Sequence, residues 1–274
     1  MEATLRIETI KKKKYYVVTD VHGYYTYLIK ALTEAGFFDE EDPAMLIVCG
    51  DLLDRGFEAN EVVDFMLKLS EEGRLIYVLG NHEDLLVQCL QSIAAGGIYE
   101  VTGTLSPHRS NGTWNTLLQL SDIGVAEALG NPNELVRRIL SSPFYKKLLP
   151  KAVDYFETEN YIFTHGWIPC IQEGYRINAK YTYDPDWRNA DIELWKKARW
   201  RNGMELACRH HIVEEGKTIV CGHFNASYGH AHIENKCSEW GCDADFSPFY
   251  GDGVIGLDSS AANSGMINCI VIED

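Results

Sequence analysis

Five apolar segments of the sequence each run into side chains that can bind a metal ion. The candidate ligands are Asp20, His22, Asp51, Asn81, His165 and His223. Carboxylate, imidazole and amide oxygen together suit borderline divalent metals such as manganese, iron or zinc. Because six ligands exceed what one tetrahedral ion needs, we expect two ions, with Asp51 as the bridging carboxylate. Such a pair, about 3.5–4 Å apart, can hold a phosphate and lower the pKa of a bridging water.

Residues 50–56 are the stretch around which these candidates are organised, because they place Asp51, Asp54 and Arg55 directly after a buried apolar run. Buried charges need partners. A metal is a natural partner for the carboxylates, and a phosphate matches the planar fork of Arg55. His82, if paired with Asp54, becomes an oriented imidazole that can protonate a leaving oxygen. Two simpler roles stay open: a supporting hydrogen bond for His82 and a structural pair with Asp54 for Arg55.

The elements that must position these side chains are strands and helices in alternation. The strand-like runs cover residues 15–19, 45–49, 75–79, 161–164 and 218–221, and helical spacing recurs over residues 24–35, 59–69 and 85–95. This alternation is typical of an α/β fold with parallel strands. Ligands of such sheets bind in the crevice at the carboxyl ends of the strands, so we expect the five loops to converge.

The rest of the chain is predicted to complete one domain over residues 1–274, without an internal repeat or linker. Residues 98–150 change pattern and read as a helical insertion, a common place for a substrate cap. Runs at 153–156 and 161–164 suggest a hairpin. Runs at 254–257 and 266–272 suggest a second, terminal hairpin.

Composition limits the kind of protein. The chain of 274 residues is 46% hydrophobic and 24% charged, which is typical of a globular protein. Its net charge of −15 argues against general nucleic-acid binding. With no apolar run near ~20 residues and no signal-peptide core in residues 1–14, we expect a cytoplasmic protein without membrane contact. Cys237 and Cys242 lie near His230 and His232, but not at a standard zinc spacing.

The motifs resemble, in order, those of the PPP-type serine/threonine phosphatases of the calcineurin-like metallophosphoesterase superfamily. They are Asp20-Val21-His22-Gly23, Gly50-Asp51-Leu52-Leu53-Asp54-Arg55-Gly56, Gly80-Asn81-His82-Glu83, His165-Gly166 and Gly222-His223. The compact length and residues 110–117 are similar to the bacterial and phage branch. Two positions depart from the pattern: Trp167 follows His165-Gly166 where many relatives have a second glycine, and Thr113 stands where the short Asn-Gly-Gly motif has its second glycine.

The resemblance implies an α/β fold with a central β-sandwich of two mixed sheets flanked by helices. It implies a di-metal site at the carboxyl ends of the strands, with Asp20, His22 and Asp51 on one ion. The second ion would take Asp51, Asn81, His165 and His223. It further implies the Asp54–His82 acid and phosphate contacts from Arg55 and Asn81. A further phosphate-binding arginine is usual, for which Arg199 fits best and Arg201 second.

The expected activity is hydrolysis of phosphate monoesters, on a phosphoserine/threonine protein or a small phosphoester, by direct attack of a metal-bridging hydroxide. One alternative is a symmetrical dinucleoside tetraphosphatase or another nucleotide or polynucleotide phosphatase. That alternative predicts a basic, aromatic-lined cap, for which the insertion offers Arg137, Arg138, Tyr145, Lys146 and Lys147. A non-enzymatic alternative is a metal-bound module that only binds phosphate. The natural substrate and the oligomeric state stay open.

Overall fold

The computed structural model describes residues 14–40, 44–174 and 179–274. The strands are β1 Lys14–Val18, β2 Met45–Cys49, β3 Leu75–Val78, β4 Phe156–Glu157, β5 Tyr161–Phe163, β6 Cys170–Glu173, β7 Lys180–Tyr183, β8 Thr218–Asn225, β9 Phe249–Gly251, β10 Val254–Asp258 and β11 Ile270–Glu273. The α-helices are α1 Tyr25–Glu34, α2 Ala59–Glu71, α3 Asn81–Ala94, α4 Ile98–Thr102, α5 Pro107–Ser110, α6 Thr113–Ser121, α7 Val125–Gly130, α8 Pro132–Ser141, α9 Ile192–Ala198, α10 Gly203–His210, α11 Ala226–His232 and α12 Ala261–Ser264. Within this part of the chain, no helix is long and apolar enough to cross a membrane.

Two mixed sheets form the centre of the fold, as expected. The first has the order β11-β1-β2-β3, with β1, β2 and β3 parallel and β11 antiparallel to β1. The second has the order β4-β5-β8-β10-β9, with β5, β8 and β10 parallel and an antiparallel strand at each edge. Strands β6 and β7 form a separate antiparallel pair. The parallel strands therefore send their carboxyl ends to common edges of the two sheets.

The apolar runs form strands because each face of the sheet finds a core. In β1, Tyr15 and Val17 join the cluster between the two sheets, while Tyr16 and Val18 join the cluster under the helices. Alternate side chains of a strand point to opposite faces, so a strand buried on both faces is apolar throughout. The second sheet is covered on its other side by a third apolar cluster that includes Trp167, Trp187 and Trp195.

Helices α1 and α2 match the predicted spans within two residues, but α3 begins earlier than expected. It starts at Asn81 rather than near Leu85, because the Glu83 carboxylate accepts a hydrogen bond from the Gly80 N–H at 2.7 Å and caps the helix. The motif that follows β3 therefore forms the first turn of a helix.

The predicted hairpin around residues 153–164 forms as β4 and β5, but the predicted terminal hairpin is wrong. Strand β10 pairs with β8 and β9 in the second sheet, whereas β11 pairs with β1 in the first. The segment between them, which contains α12, crosses from one sheet to the other. Two consecutive apolar runs predict strands, and only the distant partners decide which sheet each strand joins.

The insertion over residues 98–150 is helical. Helices α4 to α8 are followed by a π-helical turn, Phe144–Leu148, and a short 3₁₀ turn, Leu149–Lys151. The insertion packs on α2 and α3 and contributes Leu117, Leu135, Ile139 and Phe144 to the first sheet's outer core. Its role as a substrate cap stays a prediction.

Candidate metal centre

The loops that carry the predicted ligands are tied to one another by backbone hydrogen bonds. The His22 N–H donates to the Asp51 carbonyl at 2.9 Å, which joins the loops after β1 and β2. The Gly222 N–H donates to the His165 carbonyl at 2.7 Å, which joins the loops of the second sheet. A side-chain bond links the two sheets, since the His223 N–H donates to Asp20 Oδ2 at 3.0 Å. The loop after β3 joins them through the His82 N–H, which donates to Asp51 Oδ1 at 2.9 Å. All five loops therefore converge at one place.

The backbone is strained where these side chains leave the strands. Positive φ angles between 50° and 75° occur at Asp20, His22, Asp51, Asp54, Arg55 and His223. Such a conformation is uncommon outside glycine, and strained residues persist where the surrounding structure imposes them, often at functional sites. The strain is thus concentrated on residues that the sequence marks as chemical.

Asp51 lies at the centre of two overlapping groups of possible metal ligands. Its Oδ2 lies 3.6 Å from His22 Nε2 and 3.7 Å from His82 Nε2. Its Oδ1 lies 3.3 Å from His165 Nε2, and His223 completes this second group. The two carboxylate oxygens therefore face two different sets of imidazoles, as a bridging ligand requires.

The tautomers of two imidazoles show that the site suits a cation. Nδ1 of His22 bonds to the Leu53 carbonyl at 3.1 Å, and Nδ1 of His165 bonds to the Cys49 carbonyl at 2.8 Å. Since a carbonyl can only accept, Nδ1 carries a proton in both rings, which leaves Nε2 as the nitrogen that a metal ion would take. His22 Nε2 is buried, makes no hydrogen bond with the described residues, and faces carboxylates of Asp20 and Asp51 at 3.6–3.7 Å. Acceptors directed at one another fit a bound metal ion.

The second group shows the same attraction for positive charge. Asn81 Oδ1 lies 2.8 Å from His165 Nε2, so an amide oxygen and a carboxylate oxygen both point at that nitrogen. Burial lowers the pKa of His165, but the charges of Asp51 and Asp20 outweigh it and raise the pKa to about 10. A field that holds a proton this strongly also attracts a divalent cation in its place.

The other two histidines are neutral at pH 7 and free to donate a lone pair. Burial lowers the pKa of His22 well below its usual value, and the Arg55 charge lowers it further. Burial also lowers the pKa of His223 to about 3, with a contribution from the charge of His165. Metal ligands must be deprotonated, so these shifts favour ligation.

Asp54 and His82 are paired, as the sequence predicts. His82 Nδ1 donates to Asp54 Oδ2 at 2.8 Å, which leaves His82 Nε2 directed at the centre. Burial lowers the pKa of His82, but the charge of Asp51 and the hydrogen bond to Asp54 raise it above its usual value overall. The pair can therefore present a charged imidazole beside the metal ligands; its role as general acid stays a prediction.

The two predicted phosphate-binding arginines have different surroundings. Arg55 is exposed, and its guanidinium makes no ion pair with the described residues. Arg199 is 1% exposed, and its two terminal nitrogens pair with Asp84 at 2.6 Å and with Asp154. The structure therefore does not bring Arg199 to the centre as a free cation, because its guanidinium is already paired with these two carboxylates. Arg201, the second choice, bonds to Tyr181 and Gln172.

Sequence reasoning missed a buried carboxylate that holds the centre together. Glu83 accepts hydrogen bonds from the backbone N–H groups of Asp51 at 3.1 Å, Leu52 at 3.0 Å and Gly80 at 2.7 Å. It thereby joins the loops after β2 and β3. The available signal was its position at the end of the Gly80-Asn81-His82-Glu83 motif.

Two more residues near the centre were also missed. Asp258 is buried at the end of β10, where burial and then the charge of Asp20 raise its pKa to about 8. It directly follows the apolar run 254–257, which is the pattern that identified the other carboxylates. Trp200 is 51% exposed, and its ring stands perpendicular to that of His223 with 5.5 Å between centroids. No sequence pattern marked it.

We expect His223, and not His230, to be needed for the second ion. His230 is occupied by Glu234 at 2.6 Å and the Ser247 carbonyl at 3.1 Å, whereas His223 belongs to the group around Asp51. His223→Ala should lower the metal content after desalting from two ions towards one per chain, and His230→Ala should keep two. Full metal content in His223→Ala together with loss in His230→Ala would reverse the assignment.

Residues 13–246 match the family model described as calcineurin-like phosphoesterase, and the chain belongs to that family. The sequence resemblance to this superfamily is thereby confirmed.

Curated relatives cover part of the chain. It is 27% identical over 137 residues to the asymmetrical bis(5'-nucleosyl)-tetraphosphatase PrpE of Bacillus velezensis. The aligned region covers 48% of this chain and 50% of that protein. It is 32% identical over 124 residues to serine/threonine-protein phosphatase 1 of Salmonella typhimurium. This aligned region covers 45% of this chain and 50% of that protein. The chain thus matches about half the length of these relatives.

Solved structures are similar over more of the chain. A cold-active protein-tyrosine phosphatase of a Shewanella species is 16% identical, with a TM-score of 0.49 over 97% of this chain and 77% of that one. A putative diadenosine tetraphosphatase is 14% identical, with a TM-score of 0.45 over 97% and 96%.

Proposed function

We propose that the protein is a phosphomonoesterase that uses two divalent metal ions, for which manganese is the first choice. Its proposed substrate is a phosphoserine/threonine protein or a small phosphoester. The observation that carries the proposal is the position of Asp51, whose two carboxylate oxygens face two separate groups of imidazoles. Family membership and the Asp54–His82 pair beside these groups support it.

The residues fit the two ions as follows. Asp20, His22 and Asp51 would hold one, and Asp51, Asn81, His165 and His223 the other. When bound, two such ions supply positive charge for a phosphate and lower the pKa of a coordinated water. The chain's own groups orient the ester: Arg55 offers its guanidinium fork to phosphate oxygens, Asn81 offers its amide, and His82 holds a proton at Nε2 for the leaving oxygen.

We expect Arg55→Ala to lower kcat/KM on a phosphate monoester by roughly 10–100-fold, with metal content unchanged. The reason is the loss of charge-assisted hydrogen bonds, which contribute about 1.5–3 kcal/mol. Steady-state kinetics check the result. The matched control is Arg137→Ala, since Arg137 is also exposed but pairs with Glu134 in the insertion. Equal kcat/KM values for Arg55→Ala, Arg137→Ala and wild type would contradict a phosphate contact from Arg55.

Hydrolysis of a dinucleoside polyphosphate is the second candidate, because curated relatives carry that name and because Trp200 offers an exposed aromatic face beside His223. The structure gives less support to the basic cap that this substrate requires. Arg137 and Arg138 pair with Glu134, and Lys147 lies 3.6 Å from Glu71, so much of the cap's positive charge is compensated. We therefore favour the monoester.

One comparison tests the proposal. Activity is measured with and without Mn²⁺ on p-nitrophenyl phosphate, phosphoserine and phosphothreonine peptides, and diadenosine tetraphosphate. Mn²⁺-dependent turnover that is faster on the monoesters supports it. Turnover confined to diadenosine tetraphosphate assigns the second candidate instead. Phosphate binding that depends on Mn²⁺, without turnover of any substrate, would identify a phosphate-binding module and overturn both.

A further inference from the structure

We propose that Thr113, in the helical insertion, is a positioning residue for the Asp54–His82 acid; this inference rests on the function proposed above. The Thr113 hydroxyl donates to Asp54 Oδ2 at 2.7 Å. The same oxygen accepts the hydrogen bond from His82 Nδ1 at 2.8 Å. The three side chains thus form one chain of hydrogen bonds that ends at the imidazole.

The carboxylate of Asp54 depends on Thr113 for its orientation. Both side-chain hydrogen bonds reach Oδ2, while Oδ1 is buried and has no hydrogen-bond partner among the described residues. Two donors on one oxygen restrain the rotation of the carboxylate more than the His82 donor alone would restrain it. Asp54 is 1% exposed and Thr113 fully buried, so bulk water does not take the place of the hydroxyl. Two donors also stabilise the buried charge.

The local structure is built to bring this hydroxyl to Asp54. Thr113 is the first residue of α6, and the residue before it, Gly112, has φ of +86°. A Cβ on Gly112 would collide with the backbone nitrogen of Arg55, so glycine permits the helix to start against this loop. One turn later, the Thr116 hydroxyl accepts from the Asp54 N–H at 3.1 Å.

The two threonines therefore hold different parts of the same residue. Thr116 holds the backbone of Asp54, whereas Thr113 holds its carboxylate. Thr113 also stands where the short Asn-Gly-Gly motif has its second glycine. A glycine at that position has no hydroxyl to donate to Asp54. A residue that only packs in this place would not need the donor.

The test compares Thr113→Val, Thr113→Ser and Thr116→Val on an alkyl phosphate and on p-nitrophenyl phosphate. Thr113→Val should lose about tenfold in kcat on the alkyl phosphate, whose leaving group needs a proton, and less on p-nitrophenyl phosphate, with KM and metal content unchanged. Thr113→Ser should restore the wild-type ratio of the two rates. Thr116→Val should keep that ratio, whatever its effect on stability. If valine prevents folding, Thr113→Ala takes its place.

A second measurement needs neither metal nor activity. The Nδ1 proton of His82, assigned by its loss in His82→Asn, is followed by NMR in metal-free protein. It should resonate at the same position in wild type and Thr113→Ser, and shift or broaden in Thr113→Val. An unchanged signal in Thr113→Val, or an equal loss on both substrates, would overturn the proposal. If the wild-type protein hydrolyses no monoester, the proposed function fails, and the NMR result alone then decides whether Thr113 orients the pair.

Discussion

Asp51→Asn protein is expected to retain one tightly bound divalent ion per chain where wild type retains two. In wild type, the His82 N–H donates a hydrogen bond to Asp51 Oδ1 at 2.9 Å. The amide oxygen of asparagine can accept the same bond, so we expect the loop geometry to be preserved. It loses the negative charge and the second ligand oxygen, which faces His22 at 3.6 Å. Because a metal pair stabilises the transition state by several kcal/mol, we expect a loss of about 10³-fold or more in kcat/KM.

Metal analysis after loading with Mn²⁺ and desalting measures this effect. The control is Asp258→Asn, which replaces a second buried carboxyl, outside the two groups around Asp51, with the same amide. Because burial raises the pKa of Asp258 to about 8, this variant changes the side chain with little change of charge at pH 7. That variant should keep two ions. Two ions in Asp51→Asn would show that Asp51 does not bridge. Loss of an ion in both variants would show that the site responds to any nearby substitution of a buried carboxyl.

The candidate centre could be predicted from the sequence because its parts are local. Each ligand lies close behind an apolar run of the sequence, as Asp51 lies just after β2 and Asn81 just after the run that contains β3. Buried parallel strands read as continuous apolar segments, and their carboxyl ends meet at one edge of the fold. The convergence of the ligands can therefore be predicted once the apolar runs are identified as parallel strands.

The features that sequence reasoning missed depend on contacts between distant residues. Arg199 meets Asp154, 45 positions away, and Thr113 meets Asp54, 59 positions away. Neither contact leaves a periodic pattern in the sequence, because it is decided by how the insertion and the second sheet pack against the centre. The same cause explains the wrong terminal hairpin, where β10 and β11 are neighbours in the sequence but join partners in different sheets.

The substrate is harder to predict than the reaction for a related physical reason. The ligand groups act on the phosphate, which all candidate substrates share. In the proposed reaction, the leaving group would contact the rim instead. There Trp200 is half exposed and Phe57, next to the Asp54–Arg55 loop, is 76% exposed. Single exposed aromatic residues are common on protein surfaces, so they do not separate a peptide from a nucleotide.

His82→Asn is expected to keep both ions and to lose kcat by about 10²–10⁴-fold on an alkyl phosphate, the usual range for general acid catalysis. In the proposed centre Asn81 takes the ligand position, and the amide of the new asparagine can still donate to Asp54 in place of Nδ1. The missing function is then the proton at Nε2. The loss should shrink on p-nitrophenyl phosphate, whose leaving group hardly needs a proton. Steady-state kinetics on both substrates, with metal analysis of the same samples, measure the effect.

Asp54→Asn tests the same pair from the other side. In the proposed mechanism, Asp54 acts on the substrate through the His82 imidazole, which Oδ2 of Asp54 orients by a hydrogen bond. Its substitution should therefore show the same dependence on the leaving group as His82→Asn, and the double variant should lose little more than either single one. Because His82 Nε2 also lies 3.7 Å from Asp51 Oδ2, the histidine could bind an ion instead of moving a proton. Loss of an ion in His82→Asn would assign it as a ligand, and an equal loss on both substrates with two ions present would leave it a positioning residue for phosphate.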